Sequence, residues 1–335
     1  MRFLLAALAV ILAASTAIAA DDAFAYNRRL GRGINLGGAL EGPVEGEWGV
    51  TLNEGYFKTI KEAGFDSVRI PVRWGSHDPK KEPPFTIDPV FFARVDWAIK
   101  QALSHGLLAV IDIHHDDVFF KDPEKSLPRL KAYWKQIALR YRNQPDTLSF
   151  ELLNEPFGKL TDELWNQMIP QLLAVVRESN PKRIVIVGPG HWNNISELDK
   201  LSLPEDDRRL IATVHYYTPM SFTHQGASWV TGSAQWLGNV WTGSPQELAL
   251  MRKDFDKAAA WGQAHGRPMF LGEFGSFSAG DMESRVRWTR AVAAQASTHG
   301  MSSAYWEFCS TFGAYDPKAN AWRRPLLDAL INARP

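Results

Sequence analysis

The sequence predicts a single α/β domain in which eight parallel strands close into a barrel, the (β/α)8 or TIM barrel. Three observations predict it. Short β-branched runs alternate with amphipathic stretches of helical length, an order that implies parallel pairing. The strand runs are apolar almost throughout, which places both of their faces in the interior. Eight such runs occur, the number that closes a barrel; a doubly wound open sheet is the alternative use of the same units.

In chain order the first strand candidate is "GRGINLGG". "FDSVRIPV" follows and leads into the helix-like "DPVFFARVDWAIKQALSHG"; "LLAVIDIHH" leads into "SLPRLKAYWKQIALRYRNQ", and "LSFELLNEP" into "TDELWNQMIPQLLAVVRES". "RIVIVG", "RLIATVHYY", "RPMFLGEF" and "SSAYWEF" complete the set. A chain of 335 residues, 45% of them hydrophobic, fits either two ordinary domains or one barrel of about 250 residues with insertions. No Pro/Ser/Thr-rich linker or low-complexity tract interrupts it, so no appended binding module is expected.

The N-terminus, "MRFLLAALAVILAASTAIAADD", carries one Arg, an apolar run from Phe3, and Ala17-Ile18-Ala19 as a small-residue cleavage site. A cleavable signal peptide over 1–19 is expected, with the barrel domain over 20–335 and a secreted or periplasmic destination. A membrane anchor would need roughly 20 uninterrupted apolar residues, and Ser15 and Thr16 break the run. No membrane partner is therefore expected after cleavage. Cys309 is the only cysteine, which excludes an internal disulfide. Lys plus Arg and Asp plus Glu are equal at 37 each, so no basic excess suggests nucleic acid. A neutral partner fits better.

Barrel chemistry gathers at the C-terminal strand ends, where a polar residue closing an apolar strand calls for an explanation. Those ends carry Arg69, His114 with His115, Asn154 with Glu155, His215 with Tyr217, Glu273, and Trp306. Burying an unpaired charge such as Glu155 is unfavourable, so it must be paired or open to a cavity. Two carboxylates across one mouth, Glu155 and Glu273, suit glycoside hydrolysis, with one as general acid and the other as nucleophile or base. Arg69 can hold one of them ionised, while the less compensated one has its pKa raised. Asn154 can donate to a sugar 2-hydroxyl, and Trp306 offers a flat face to a pyranose ring. Trp48, Trp192 and Trp229 can extend that platform.

Other chemistries fit less well. His114 and His115 are adjacent on a strand and point to opposite faces, so "DIHHDD" does not form a metal site on a regular strand. "GRGINLGG" lacks both the preceding strand and the spacing of a dinucleotide loop, and no G-x-S-x-G is present. No metal or cofactor is expected. A non-catalytic carbohydrate-binding barrel is the rival from another class, and the two intact carboxylates argue against it.

"GINLGGALEG", "VRIPVRW", "IDIHH", "ELLNEP", "VHYY", "LGEFG" and "YWEF" resemble glycoside hydrolase family 5, the cellulase family, over nearly the whole mature chain. "FTHQGASWV", "WLG" and "DMESRVRWT" extend the likeness to the thermophilic-type bacterial endoglucanase and mannanase branch. The resemblance implies a retaining endo-β-1,4-glucanase, with endo-β-1,4-mannanase as the alternative main activity. It makes Glu155 the acid/base and Glu273 the nucleophile. It also assigns Arg69, His114, Asn154, His215, Tyr217 and Trp306 to the active site, and His115, His224, Trp229 and Glu41 to the sugar subsites. The expected partner is a β-1,4-linked polysaccharide, and the expected state is a monomer. The order of preference among cellulose, mixed-linkage glucan, glucomannan and mannan stays open. One position departs from the pattern: where the branch carries an Asn, this chain has Gly38.

Overall fold

The computed structural model describes residues 23–114 and 117–333. Eight strands form a closed barrel in chain order: β1 (Arg32–Asn35), β2 (Ser67–Ile70), β3 (Leu108–Asp112), β4 (Leu148–Glu151), β5 (Val185–Val187), β6 (Leu210–Tyr216), β7 (Met269–Phe274) and β8 (Ser302–Tyr305). Every neighbouring pair is parallel, including the closing pair β1 and β8. All eight predicted strands are present, and the closed barrel replaces the open-sheet alternative. The signal-peptide expectation falls on 1–19, outside the described residues.

The principal outer helices are α1 (Glu54–Glu62), α2 (Pro89–Ser104), α3 (Pro123–Tyr141), α4 (Asp162–Ser179), α5 (Pro245–His265), α6 (Met282–Thr298) and α7 (Arg324–Ile331). Their starts are written locally. Asp88 caps α2 by accepting from the Val90 amide, with Pro89 as the first helical residue, where its missing N–H is not needed. Ser244 and Glu247 form a reciprocal capping box on α5. Between β5 and β6 a short turn at Gly190–Asn193 and a 3-10 segment, Ile195–Lys200, stand in place of a long helix. Among the described residues, no helix is long and apolar enough to cross a membrane.

The barrel floor is sealed by the helical residues 23–30. Ala23, Tyr26 and Leu30 pack against Val110, Ile184, Ile186, Ile211, Phe270 and Ala304 at the N-terminal end of the sheet. Asn27 fixes this plug by donating to the Met269 carbonyl (3.0 Å) and accepting from the Ser302 hydroxyl (2.6 Å). At the opposite end the ladder is irregular: the β6–β7 register shifts between Val214 and His215, and the β7–β8 register between Leu271 and Phe274. Such shifts bend a strand and re-aim its side chains. Both lie beside His215 and Glu273, so the irregular ladder is where the mouth is shaped.

Candidate active site

Arg69, near the end of β2, is 1% exposed and is the hub of the mouth. Its Nε and Nη2 donate to the two oxygens of Glu151 (2.7 and 3.0 Å), and Nη2 also reaches Asn154 Oδ1 (2.7 Å) and Asp112 Oδ2 (2.8 Å). Its Nη1 donates to Asn35 Oδ1 (3.0 Å) and to Glu273 Oε1 (2.8 Å). Burial alone would draw the guanidinium pKa down, but Glu151, Asp112 and Glu273 together hold it well above its ordinary value. The cation is permanent, and three carboxylates share it.

Glu273 ends β7 with both oxygens engaged: Arg69 holds Oε1, and the Tyr217 hydroxyl donates to Oε2 at 2.9 Å. Glu155 follows β4 with its backbone in the left-handed region at φ +46°, a conformation that only surrounding structure sustains in a non-glycine residue. The Asn154 amide bound to the Ile113 carbonyl and the Trp192 amide bound to the Pro156 carbonyl, at 2.9 and 3.1 Å, pin the turn on either side. Its carboxyl, 21% exposed, accepts from His215 Nδ1 at 2.7 Å. A carboxylate oxygen of Glu155, one of Glu273 and a ring nitrogen of His215 lie within 4.8 Å of one another.

Burial dominates the titration of both carboxyls, lifting Glu155 to about 8 and Glu273 to about 7. His215 and Arg69 oppose the rise at Glu273, where Arg69 is in direct contact; Glu155 has no guanidinium contact. Arg69 therefore favours the ionised form more at Glu273 than at Glu155. Burial lowers the His215 pKa, favouring the neutral ring. Its Nε2 is 3.3 Å from the Asn193 amide nitrogen, a donor, so Nε2 accepts and Nδ1 carries the hydrogen that faces Glu155. His114 is likewise held neutral, first by burial and then by Arg69, and its Nδ1 donates to Asp112 Oδ2 at 2.7 Å. Its ring lies parallel to that of Trp306, with centroids 5.8 Å apart.

The loops after β1 and β8 build one wall. A Cβ on Gly37 would come within 3.1 Å of the Trp306 ring, and one on Gly275 within 1.9 Å of the Trp306 carbonyl, so both positions must stay bare for Trp306 to reach the mouth. Glu307, next to Trp306, accepts from the Cys309, Ser310 and Phe312 amides at 2.7–3.0 Å. Glu41 does the same for the facing loop, accepting from Gly38 and, at 3.0 Å, from Ala39. With 1% exposure, Glu41 holds the loop from beneath.

The match that decides the family covers residues 31–311, which fit the model of the cellulases, Cellulase (glycosyl hydrolase family 5). The chain belongs to glycosyl hydrolase family 5. It is 37% identical over 320 residues to Endoglucanase H of Acetivibrio thermocellus, an alignment covering 93% of this chain but 34% of that protein's length. A hyperthermophilic endo-β-1,4-glucanase solved in complex with substrate superposes with TM-score 0.91 at 44% identity, covering 92% of this chain and 99% of the other. Thermotoga maritima Cel5A, solved with mannotriose, gives 0.90 at 47% identity, covering 92% and 100%.

Of the residues the sequence singles out in this family 5 barrel, Arg69, His114, Asn154, Glu155, His215, Tyr217, Glu273 and Trp306 are joined at one mouth by the contacts above. His115 lies outside the described residues. His224, 9% exposed, meets the edges of Tyr217 and Phe312, with centroids 4.9 and 5.4 Å away. Trp229 (58% exposed) packs on Phe277 and Phe312, and Trp192 (53% exposed) stacks on Phe157 at 5.1 Å. Trp48 is 42% exposed. Sequence reasoning missed Asn35, Asp112, Glu151, Asn193 and Glu307. The available signal for Asp112 and Glu151 was acidic residues inside strands otherwise read as apolar.

Proposed function

We propose that this protein is an exported, retaining endo-β-1,4-glucanase acting as a monomer, with Glu273 as nucleophile and Glu155 as acid/base. The observation that carries the reading is the spacing of the pair: one oxygen of each carboxyl lies within 4.8 Å of the other, which suits the roughly 5–5.5 Å of a retaining pair better than the ~6.5–9.5 Å that an inverting enzyme needs for its water. In the first step a Glu273 oxygen forms a bond to the anomeric carbon, the glycosidic C–O bond breaks, and the Glu155 proton passes to the departing oxygen. In the second, Glu155 takes a proton from water as that water's oxygen bonds to the anomeric carbon and Glu273 leaves. Two inversions return the β-configuration.

The environments suit these roles. Arg69 and Tyr217 orient Glu273 and offset its charge, while Glu155 keeps its proton near neutrality because burial disfavours its ionised form. Asn154 gives its oxygen to Arg69, which leaves its NH2 for a sugar 2-hydroxyl. Trp306 supplies the ring face, with Trp192, Trp229 and Trp48 as outlying platforms. A β-glucan is the substrate that best fits the relatives' activities, and mannan or glucomannan is a second one, because Thermotoga maritima Cel5A has been solved with mannotriose. Reducing-sugar release over cellulose, mixed-linkage glucan, glucomannan and mannan, with and without chelator, tests the activity. Proton NMR of the first product tests retention: α-anomer appearing first would overturn it. Export predicts a processed protein that begins at Ala20.

A further inference from the structure

The mouth holds more acid than the reaction uses. Glu151 and Asp112 are buried, neither is nucleophile or acid, and both are in direct contact with Arg69. Glu151 takes two of the guanidinium hydrogens in a bidentate pair. Asp112 pairs with Nη2 through Oδ2, at 2.8 Å, and that oxygen also accepts from His114, while its Oδ1 accepts from the Val72 amide at 2.9 Å. Glu273 receives one contact, through Nη1. Arg69 is therefore largely committed before the nucleophile meets it.

We propose that Glu151 and Asp112 are positioning residues that set where the reaction's proton sits, by dividing the Arg69 charge and by surrounding Glu155 with fixed negative charge. If the guanidinium faced Glu273 and Glu155 alone, it would favour the ionised form of both, and the general acid would lose its proton too early in pH. With two buried carboxylates also paired to it, the cation orients Glu273 without deprotonating Glu155. The inference rests on the roles given above to Glu155 and Glu273.

Among the described residues, groups near this pair come from every strand. β1 contributes Asn35, uncharged, and β2 contributes Arg69, with Arg73 beyond it lowering the His114 pKa. β3 supplies Asp112 and the neutral His114, and β4 supplies Glu151, Asn154 and Glu155. Asn193 follows β5; His215 and Tyr217 close β6; Glu273 closes β7, and Glu307 after β8 is occupied by loop amides. Arg69 is a permanent cation in contact with Asp112, Glu151 and Glu273. Burial first, and then Glu151 and Asp112 against the opposing pull of Arg69, place the Glu155 carboxyl above its ordinary value.

The test is the pH dependence of kcat/KM on a soluble β-glucan for the full chain and for Glu151→Gln, which keeps shape and an acceptor but removes the charge. Removing a negative charge lowers the pKa of both working carboxyls. Both limbs of the bell should therefore move to lower pH, by roughly one unit, the order expected for a nearby buried like charge. A residue that only braced the fold would lower the rate and leave the limbs in place. A folded Glu151→Gln enzyme with the wild-type bell, or one shifted to higher pH, overturns the inference. If that variant fails to fold, Asp112→Asn carries the same expectation and the same refutation. The wild-type profile separates the two levels: no turnover of any β-glycan would sink the proposed function, whereas an active wild type with unmoved variants would sink this inference alone.

Discussion

The two ends of the barrel solve opposite problems with the same strands. Along β3, residues on one side run from Val110 in the floor to Asp112 and, just past the strand, His114; along β6 they run from Ile211 through Thr213 to His215. At the floor, exclusion of water from Tyr26, Leu30, Ile186 and Phe270 stabilises the chain, and no group there needs a particular charge state. At the mouth the side chains are polar or charged, and hold only because each finds a partner: the buried Arg69 cation with its three carboxylates, the neutral His215 between Glu155 and Asn193. The floor tolerates any apolar residue of the right size. The mouth tolerates almost no change of charge.

The comparison is broken most violently at Glu273. Glu273→Ala removes the nucleophile, takes one of the two acceptors of Arg69 Nη1 and leaves the Tyr217 hydroxyl without its acceptor, so turnover on every glycan should fall on the order of 10⁴-fold or more. Initial rates at matched folded fraction check this. Glu155→Ala should fall less, about 10²–10⁴-fold on polymers, because only proton transfer is lost. Aryl glycosides, whose leaving groups need no proton, should still enter the first step, and azide should attack the covalent intermediate to give a β-glycosyl azide. That β-product from Glu273→Ala instead would reverse the assignment of the two carboxylates.

The floor offers the converse change. Ile211→Ala should cost about 2–5 kcal/mol in stability, since a fully buried side chain is truncated in a packed layer. Below its lowered melting transition the variant should keep the wild-type kcat and the wild-type pH limbs. A pH profile that moved with Ile211 would mean that the two ends are coupled.

What the sequence revealed follows the same division. Strand order and the identity of the mouth residues were legible, because a polar residue closing an apolar run is a local signal. Glu151 and Asp112 were not, since their meaning depends on Arg69, which reaches them from another strand. Asn193 lies in a loop whose path over His215 has no periodic signature. The left-handed backbone at Glu155 could not be read from Asn-Glu-Pro, and neither could the register shifts that turn His215 and Glu273 inward. Local pattern located the site, whereas its electrostatics are a property of contacts between distant segments.

The smallest expected effect lies at Gly38, and the structure changes what the position means. Gly38 has φ +79°, and a Cβ there would lie 2.9 Å from Ser310 Cβ, 3.0 Å from Ser310 Oγ and 3.2 Å from Val50 Cγ2. The side chain absent from the β1 loop is thus matched by one from the β8 loop, with Glu41 and Glu307 clamping the backbone on either side. Gly38→Asn is therefore more than an added hydrogen bond: Asn tolerates a left-handed backbone better than most residues, but Ser310 must move. The single variant should lose stability on the order of 1 kcal/mol, and any new bond to an uncharged sugar hydroxyl, about 0.5–1.5 kcal/mol, should shift the ratio of glucan to mannan turnover several-fold at most. Aryl-glycoside cleavage should change little, because the position stands away from the reacting bond. Pairing it with Ser310→Gly should restore stability while keeping the altered ratio. If the double variant regains the wild-type ratio along with its stability, the Gly38 effect is displacement of Ser310 and not a contact with sugar; equal loss on both polymers in every variant would reduce the position to scaffolding.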